Sequence, residues 1–448
     1  MQILVSLLLL SFLIIIHELG HFLSARLFGV KVKEFSVFMG PKIFSRKGKK
    51  TEYSVRAIPI GGYVAMEGET EASEDKEALT NKPRWQQAVI MFSGAFMNLV
   101  FGLLAFFLLT ITTGYISTSL TDTAATVPDI NIFIQDEGSK YDIASPAAAA
   151  GLEDGDEIVS FNGRKVIYPI DILVYSMESK EKEVSIVYRR DGVLKETTIK
   201  PVVIPETEIY KMGVYFKDGN GVFDPQISEV VPDSPAFNAG LKAGDKLVSI
   251  EKIPVSTRDD VSMALAQSGG ETVKIKILRD GKEEDLFLTP ETVVQEQTHY
   301  TGLYFKEGSG GFIQKAEASV RYFASIIKSV YYSITWLITG RVSLRDAMGP
   351  VGIISTIGSV VASKDSLSNI IKQLLSLMGL ISVNLGLINL VPFPALDGSK
   401  LAILGVEAVT RRKIPIEKQA IISFVGFAIL IIFLIAITSF DIMRLFGK

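Results

Sequence analysis

The sequence predicts a polytopic α-helical membrane protein with four transmembrane helices, a membrane-associated β-segment and two small β-rich domains. Three observations lead there. Mean hydropathy is +0.32, four apolar stretches are long enough to span a bilayer, and an internal repeat recurs at a constant offset of 89 residues. Soluble domains rarely average above zero, so part of this 448-residue chain belongs in lipid. A charged fraction of 21% is too high for spans alone and calls for a sizeable water-exposed insert. The net charge of −3 gives no case for nucleic acid as a partner. With no cysteine, disulfides and thiolate metal sites are excluded, and the redox compartment stays open.

The spans run from about Ile3 to Phe28, Ala88 to Ile111, Ile371 to Val391 and Ala420 to Phe440. The first resembles a signal-peptide core but lacks a basic leader and a clear small-x-small cleavage site. It also carries His17, Glu18 and His21, which a discarded leader has no reason to hold, so it reads as a retained span. Between Ser24 and Arg56 nine Lys and Arg residues stand against two acids, and the loop after the third span holds Arg411, Arg412 and Lys413. The positive-inside rule then puts both loops in the cytosol, with the termini and the long insert outside. Val30 to Phe38 and Tyr53 to Val64 read as strands between the first two spans, ending in Gly61-Gly62. A sheet so close to the first span can dip into a protein-lined cavity but cannot face lipid with bare backbone.

The insert, roughly 113–369, holds the repeat. Ser145-Pro146-Ala147 through Gly155-Asp156 recurs as Ser234-Pro235-Ala236 through Gly244-Asp245. Arg190-Asp191-Gly192 recurs as Arg279-Asp280-Gly281, and Gly213 to Lys217 as Gly302 to Lys306. One offset across separate matches means two copies of one domain. Short alternating runs such as Val184 to Tyr188 before an Arg-Asp-Gly turn predict β-hairpins. The pattern resembles bacterial PDZ domains, which places copies at 113–202 and 203–295. In PDZ domains of that arrangement a peptide C-terminus is held by a loop ahead of the Ser-Pro-Ala unit. For the second copy this implies Met212-Gly213-Val214-Tyr215, with Gly213 as candidate substrate contact. Residues 296–369 follow as a helical connector, with apolar positions at helical spacing from Val320 to Leu337 predicting an amphipathic helix.

The chemistry lies in His17-Glu18-Leu19-Gly20-His21. Positions i and i+4 share a helix face, so both imidazoles reach one metal while Glu18 stands beside it. An acid inside an apolar span is expensive unless it has a partner or a function. A catalytic zinc takes three protein ligands, and only three histidines are present in the chain. His299 sits in the insert, on the wrong side for this role. Asp397 closes a long apolar run that contains no other acid, and Pro392 and Pro394 break the helix just before it. The first and third spans both run inward, so His17, His21 and Asp397 converge in depth.

Taken together, these motifs resemble the site-2 protease family, in its regulator of sigma-E protease form with tandem PDZ domains. The likeness covers nearly the whole chain: H-E-x-x-H at 17–21, Gly61-Gly62-Tyr63-Val64, the two repeats, Leu337-Ile338-Thr339-Gly340 with Gly349-Pro350, and Asn389-x-x-Pro392-x-Pro394-x-Leu396-Asp397-Gly398. It departs at Ala95, where the family often has Pro, and at Ser399, where it often has Gly. The resemblance implies Zn2+ held by His17, His21 and Asp397, Glu18 as catalytic acid and base, and Asn389 near the bound substrate. It implies cleavage of single-span membrane proteins of the anti-sigma factor type, already trimmed outside, or of signal-peptide remnants, in a bacterial inner membrane. A zinc transporter would also place His and Asp in spans but has no use for H-E-x-x-H. A membrane-tethered PDZ scaffold has no use for Glu18.

Overall fold

The computed structural model describes residues 2–69, 71, 73–121, 145–179, 182–204, 207–219, 222–232, 234–295, 298–308, 310–363 and 366–445. It forms two compact units. One comprises residues 1–117, 167–174 and 307–448, the other residues 118–166 and 175–306.

The first unit is helical, with long helices α1 (Gln2–Leu27), α2 (Arg84–Thr113), α3 (Phe312–Ile338), α4 (Pro350–Ala362), α5 (Leu367–Asn389), α6 (Asp397–Thr410) and α7 (Ile416–Leu445). Among the described residues α1, α2, α5 and α7 are long and apolar enough to cross a membrane, as the hydropathy pattern predicts. Small residues bring α2 and α5 together: a Cβ on Gly386 would lie 2.9 Å from the Ala95 carbonyl, and one on Gly102 would overlap Val383. The amphipathic α3 lays Ile326 and Val330 against Phe106 and Val383. Its Tyr322 ring stands 4.6 Å from that of Phe106. At the far end of α7, the buried Asp441 accepts hydrogen bonds from the Gly349 and Gly352 amides and so caps α4.

Between α1 and α2 lie β1 (Val32–Lys47) and β2 (Glu52–Met66). The start of β1 pairs with the end of β2, Val32 opposite Met66 and Val37 opposite Gly62, while its far end pairs with the start of β2, Lys47 opposite Glu52. Phe35 lies opposite Val64 on one side and Tyr53 on the other, so residues 62–66 form an edge. Gly61 has φ +68, and a Cβ on Gly62 would lie 2.8 Å from the Ser36 carbonyl, so the Gly61-Gly62 pair answers a backbone requirement. Ser11, buried inside α1, receives the Gly61 amide at 3.1 Å and donates to the Pro59 carbonyl, which ties the sheet to the first span.

The second unit holds the repeats. Each short helix opens on a serine that caps it: Ser145 Oγ accepts from the Ala148 amide and Ser234 Oγ from the Phe237 amide. Each Asp-Gly turn carries positive φ at both residues, Asp191 and Gly192 in one copy, Asp280 and Gly281 in the other. The sheets run 305–308, 115–120, 157–161, 184–190, 193–199 and 214–219, 222–230, 246–250, 273–279, 282–288. The copies are thus nested, where the sequence predicts them one after the other. Phe305–Gly308, expected in the helical connector, is a strand of the first copy's sheet. Two antiparallel ribbons, Ile204 opposite Thr298 and Thr207 opposite Gln295, carry the chain out to the second copy and back. A constant offset reports which segments are alike; it cannot report which sheet each one joins.

Candidate metal centre

On α1 the H-E-x-x-H spacing puts His17 and His21 on one face, both buried, with Nε2 atoms 3.1 Å apart. Gly20 completes the motif for a packing reason: a Cβ there would overlap the Ser93 carbonyl of α2. The chain leaves α5 through Pro392 and Pro394 and takes Ala395 into positive φ (79°). It then enters α6 at Asp397. Gly398 is the only residue type that fits next, since a Cβ would overlap the Leu390 and Val391 carbonyls. This turn delivers Asp397 Oδ2 to 3.0 Å from both His17 Nε2 and His21 Nε2. One ligand atom from each residue lies within 4.8 Å of the others.

The tautomers say what this cluster needs. His21 Nδ1 stands 2.7 Å from the Ile90 carbonyl, which can only accept, so Nδ1 carries the proton. With neutral imidazole, Nε2 then offers a lone pair to a carboxylate oxygen 3.0 Å away. Two acceptors at that distance need a cation between them, either a proton or a metal ion. Two imidazoles and one carboxylate are a donor set suited to zinc with a coordination position left open. α2 is shaped for the pair: Gly94 faces both rings, and a Cβ there would overlap His21 Nε2 and come 2.7 Å from His17 Nε2.

Glu18 is set by the sheet. Its Oε2 accepts the Val64 amide at 3.0 Å, a bond made from the free side of the 62–66 edge. One turn beyond Asp397, Lys400 donates to Glu69 Oε1 at 2.8 Å. Burial would lower the Lys400 ammonium, but the Glu69 carboxylate holds it above its ordinary value. Farther along β1 and β2, burial would raise the Glu34 carboxyl, yet hydrogen bonds from Ser54, Tyr63 and Arg56 hold it at about 2.

Of the residues singled out from the sequence, His17, His21 and Asp397 are brought together and Glu18 stands beside them. Asn389 ends α5, half-buried, before the proline turn. Gly213 lies in the second unit with φ +81 at the start of strand 214–219, where a Cβ would overlap Ser234. His299 lies in the ribbon of that unit. The sequence marks Gly94 and Asn98 only as the ends of the segment that departs from the family at Ala95, and it marks Ile90 not at all. Their spacing of four along an apolar helix is the signal that puts the three on one face.

The profile of peptidase family M50 matches residues 5–433. The zinc metalloprotease RasP of Oceanobacillus iheyensis is 30% identical, covering 97% of this chain and 97% of that protein. The regulator of sigma-W protease RasP of Bacillus subtilis is 27% identical over 97% of this chain and 96% of its own length. Among solved structures, the HtrA3 PDZ domain bound to a phage-derived ligand matches at 18% identity over 20% of this chain and 91% of that one, with a TM-score of 0.18. A match across nearly the full length, together with a His-His-Asp cluster built on two helices, makes the chain a zinc metalloprotease that belongs to peptidase family M50, the site-2 proteases.

Proposed function

We propose that the chain hydrolyses peptide bonds inside the transmembrane segments of single-span membrane proteins, with zinc held by His17, His21 and Asp397. The observation that carries this reading is the arrival of Asp397 at two buried histidines from 376 and 380 residues away in sequence. When bound, zinc supplies Lewis acidity for attack of water on a carbonyl. Glu18 takes the proton from the attacking water through Oε1, while the Val64 amide holds Oε2, and passes it to the leaving amine. A helical substrate hides its carbonyls in i→i+4 bonds and must extend first. The 62–66 edge, ending beside Glu18, supports pairing with such an extended strand, and the family resemblance supports Asn389 as a contact to it. The sigma-W regulatory name of one relative supports an anti-sigma factor type of substrate.

The basic loops support a cytosol-facing active site in a bacterial inner membrane, with the repeats outside. We assign the repeats the PDZ fold and the role of a size filter that rejects substrates with bulky external parts. A C-terminus held at Gly213 is the competing role. The test of the catalytic reading is zinc content together with cleavage of a model single-span substrate. Glu18→Gln keeps zinc and loses roughly 100- to 10,000-fold in rate, whereas His17→Ala loses both. Wild-type cleavage by Glu18→Gln would sink the mechanism.

A further inference from the structure

The two candidate ligand histidines differ in what holds their second nitrogen. His21 Nδ1 has the Ile90 carbonyl at 2.7 Å. His17 Nδ1 has the Asn98 side chain at 3.3 Å, placed with its amide nitrogen toward the ring. In that placement Asn98 Oδ1 is buried without any hydrogen-bond partner, in a residue that is wholly buried. An orphaned buried acceptor loses its water without gaining a partner and is costly. Amide nitrogen and oxygen are exchanged by a half-turn about the last side-chain bond, so the network decides between them. A His17 that offers Nε2 to a metal carries its proton on Nδ1 and needs an acceptor there. The half-turn puts Oδ1 in that place.

We propose that Asn98 is the positioning residue of His17: its amide oxygen accepts Nδ1–H and holds the ring with the Nε2 lone pair turned toward Asp397 and His21. The proposal rests on the metal-ligand reading above. The face of α2 then serves both rings in three successive turns. Ile90 offers a backbone carbonyl, Gly94 leaves room, and Asn98 supplies a side-chain acceptor. The backbone of Asn98 is itself held, since Ser382 Oγ of α5 donates to its carbonyl at 2.9 Å. Asn98 touches neither metal nor substrate. Its effect is on affinity and ligand geometry, as for other outer partners of metal-bound histidine.

The test measures zinc affinity by competition with a chelator, and the absorption spectrum of the cobalt-substituted protein, on full-length Asn98→Leu and Asn98→Asp. Leu fills the space but accepts nothing; it should weaken zinc by about 10- to 100-fold and alter the cobalt bands. Asp keeps the acceptor, so Asn98→Asp should bind zinc within a few-fold of wild type, with cobalt bands like those of the parent. Wild-type affinity in Asn98→Leu, or an Asp variant no better than the Leu variant, overturns the proposal. His17→Ala is the control for the underlying reading. If it keeps zinc, the ligand assignment fails first; if it loses zinc while Asn98→Leu does not, only the role of Asn98 fails.

Discussion

Carboxylates at least half-buried appear in both units, and their surroundings differ in kind. In the repeats, Asp156 and Asp245 are about as buried as any side chain, and each has its own cation. Arg190 reaches Asp156 through Nε at 2.8 Å and Nη2 at 2.7 Å, and Arg279 reaches Asp245 at the same two distances. Each acid also accepts an amide, from Glu153 or Lys242. The charge is neutralised inside the fold and its lone pairs are used, so nothing further is needed. Asp397 meets two imidazoles instead, one of which has its proton committed to a backbone carbonyl. With neutral imidazoles the cluster is rich in acceptors and short of positive charge. An acid whose partners are cations is structural; one whose partners are lone pairs is a place for a metal.

Removing the charge without changing the shape separates the two cases most strongly. Asp397→Asn should lose cleavage by orders of magnitude and weaken zinc at least 10- to 100-fold, with little change in melting of the repeats. Asp245→Asn should do the reverse, breaking the two-pronged Arg279 contact and leaving that guanidinium with Glu284. It should destabilise the second copy by about 1–3 kcal/mol while zinc content stays at the wild-type level. Denaturation and metal analysis of both variants check this, and a zinc loss in Asp245→Asn would break the comparison.

A smaller effect is expected from excising the second copy. Ile204 and Thr298 are cross-strand partners, so replacing residues 205–297 by an Asn-Gly turn closes the ribbon and leaves the first sheet complete. The variant should retain zinc and cleave a trimmed substrate within a few-fold of wild type. Cleavage of the untrimmed form should rise toward that of the trimmed one, and continued rejection would move the filter elsewhere.

The smallest effect is acid sensitivity. Burial would raise the Asp156 and Asp245 carboxyls, but the hydrogen bonds from Arg190 and Arg279 bring them below the ordinary value. A carboxyl lowered in the folded state contributes stability above its unfolded pKa of about 3.9 and loses it as pH falls through the folded pKa. The repeats should therefore melt at nearly constant temperature from pH 7 to 5 and less stably below about pH 4. A melting temperature that fell between pH 7 and 5 would contradict the paired state.

The sequence carried what is local or periodic. Four apolar runs, a two-histidine face one turn deep, Asp-Gly hairpin turns and Ser-Pro helix starts each depend on residues within a few positions of one another. Bilayer thickness, helical pitch and left-handed turns constrain such stretches wherever they stand. Asp397 was legible because it closes an inward-running apolar span behind two prolines, at the depth of the two histidines. Tertiary structure decided what depends on partners far apart in the chain. It nested one repeat inside the other, because strand 305–308 finds its place beside 115–120 and not beside its neighbours in sequence. It placed the Val64 amide on Glu18, and it gave Gly94 and Asn98 their meaning, since a gap and an amide on α2 matter only once the rings of α1 are packed against them. Spacing along a chain fixes which side chains share a face; only packing chooses the face that meets it.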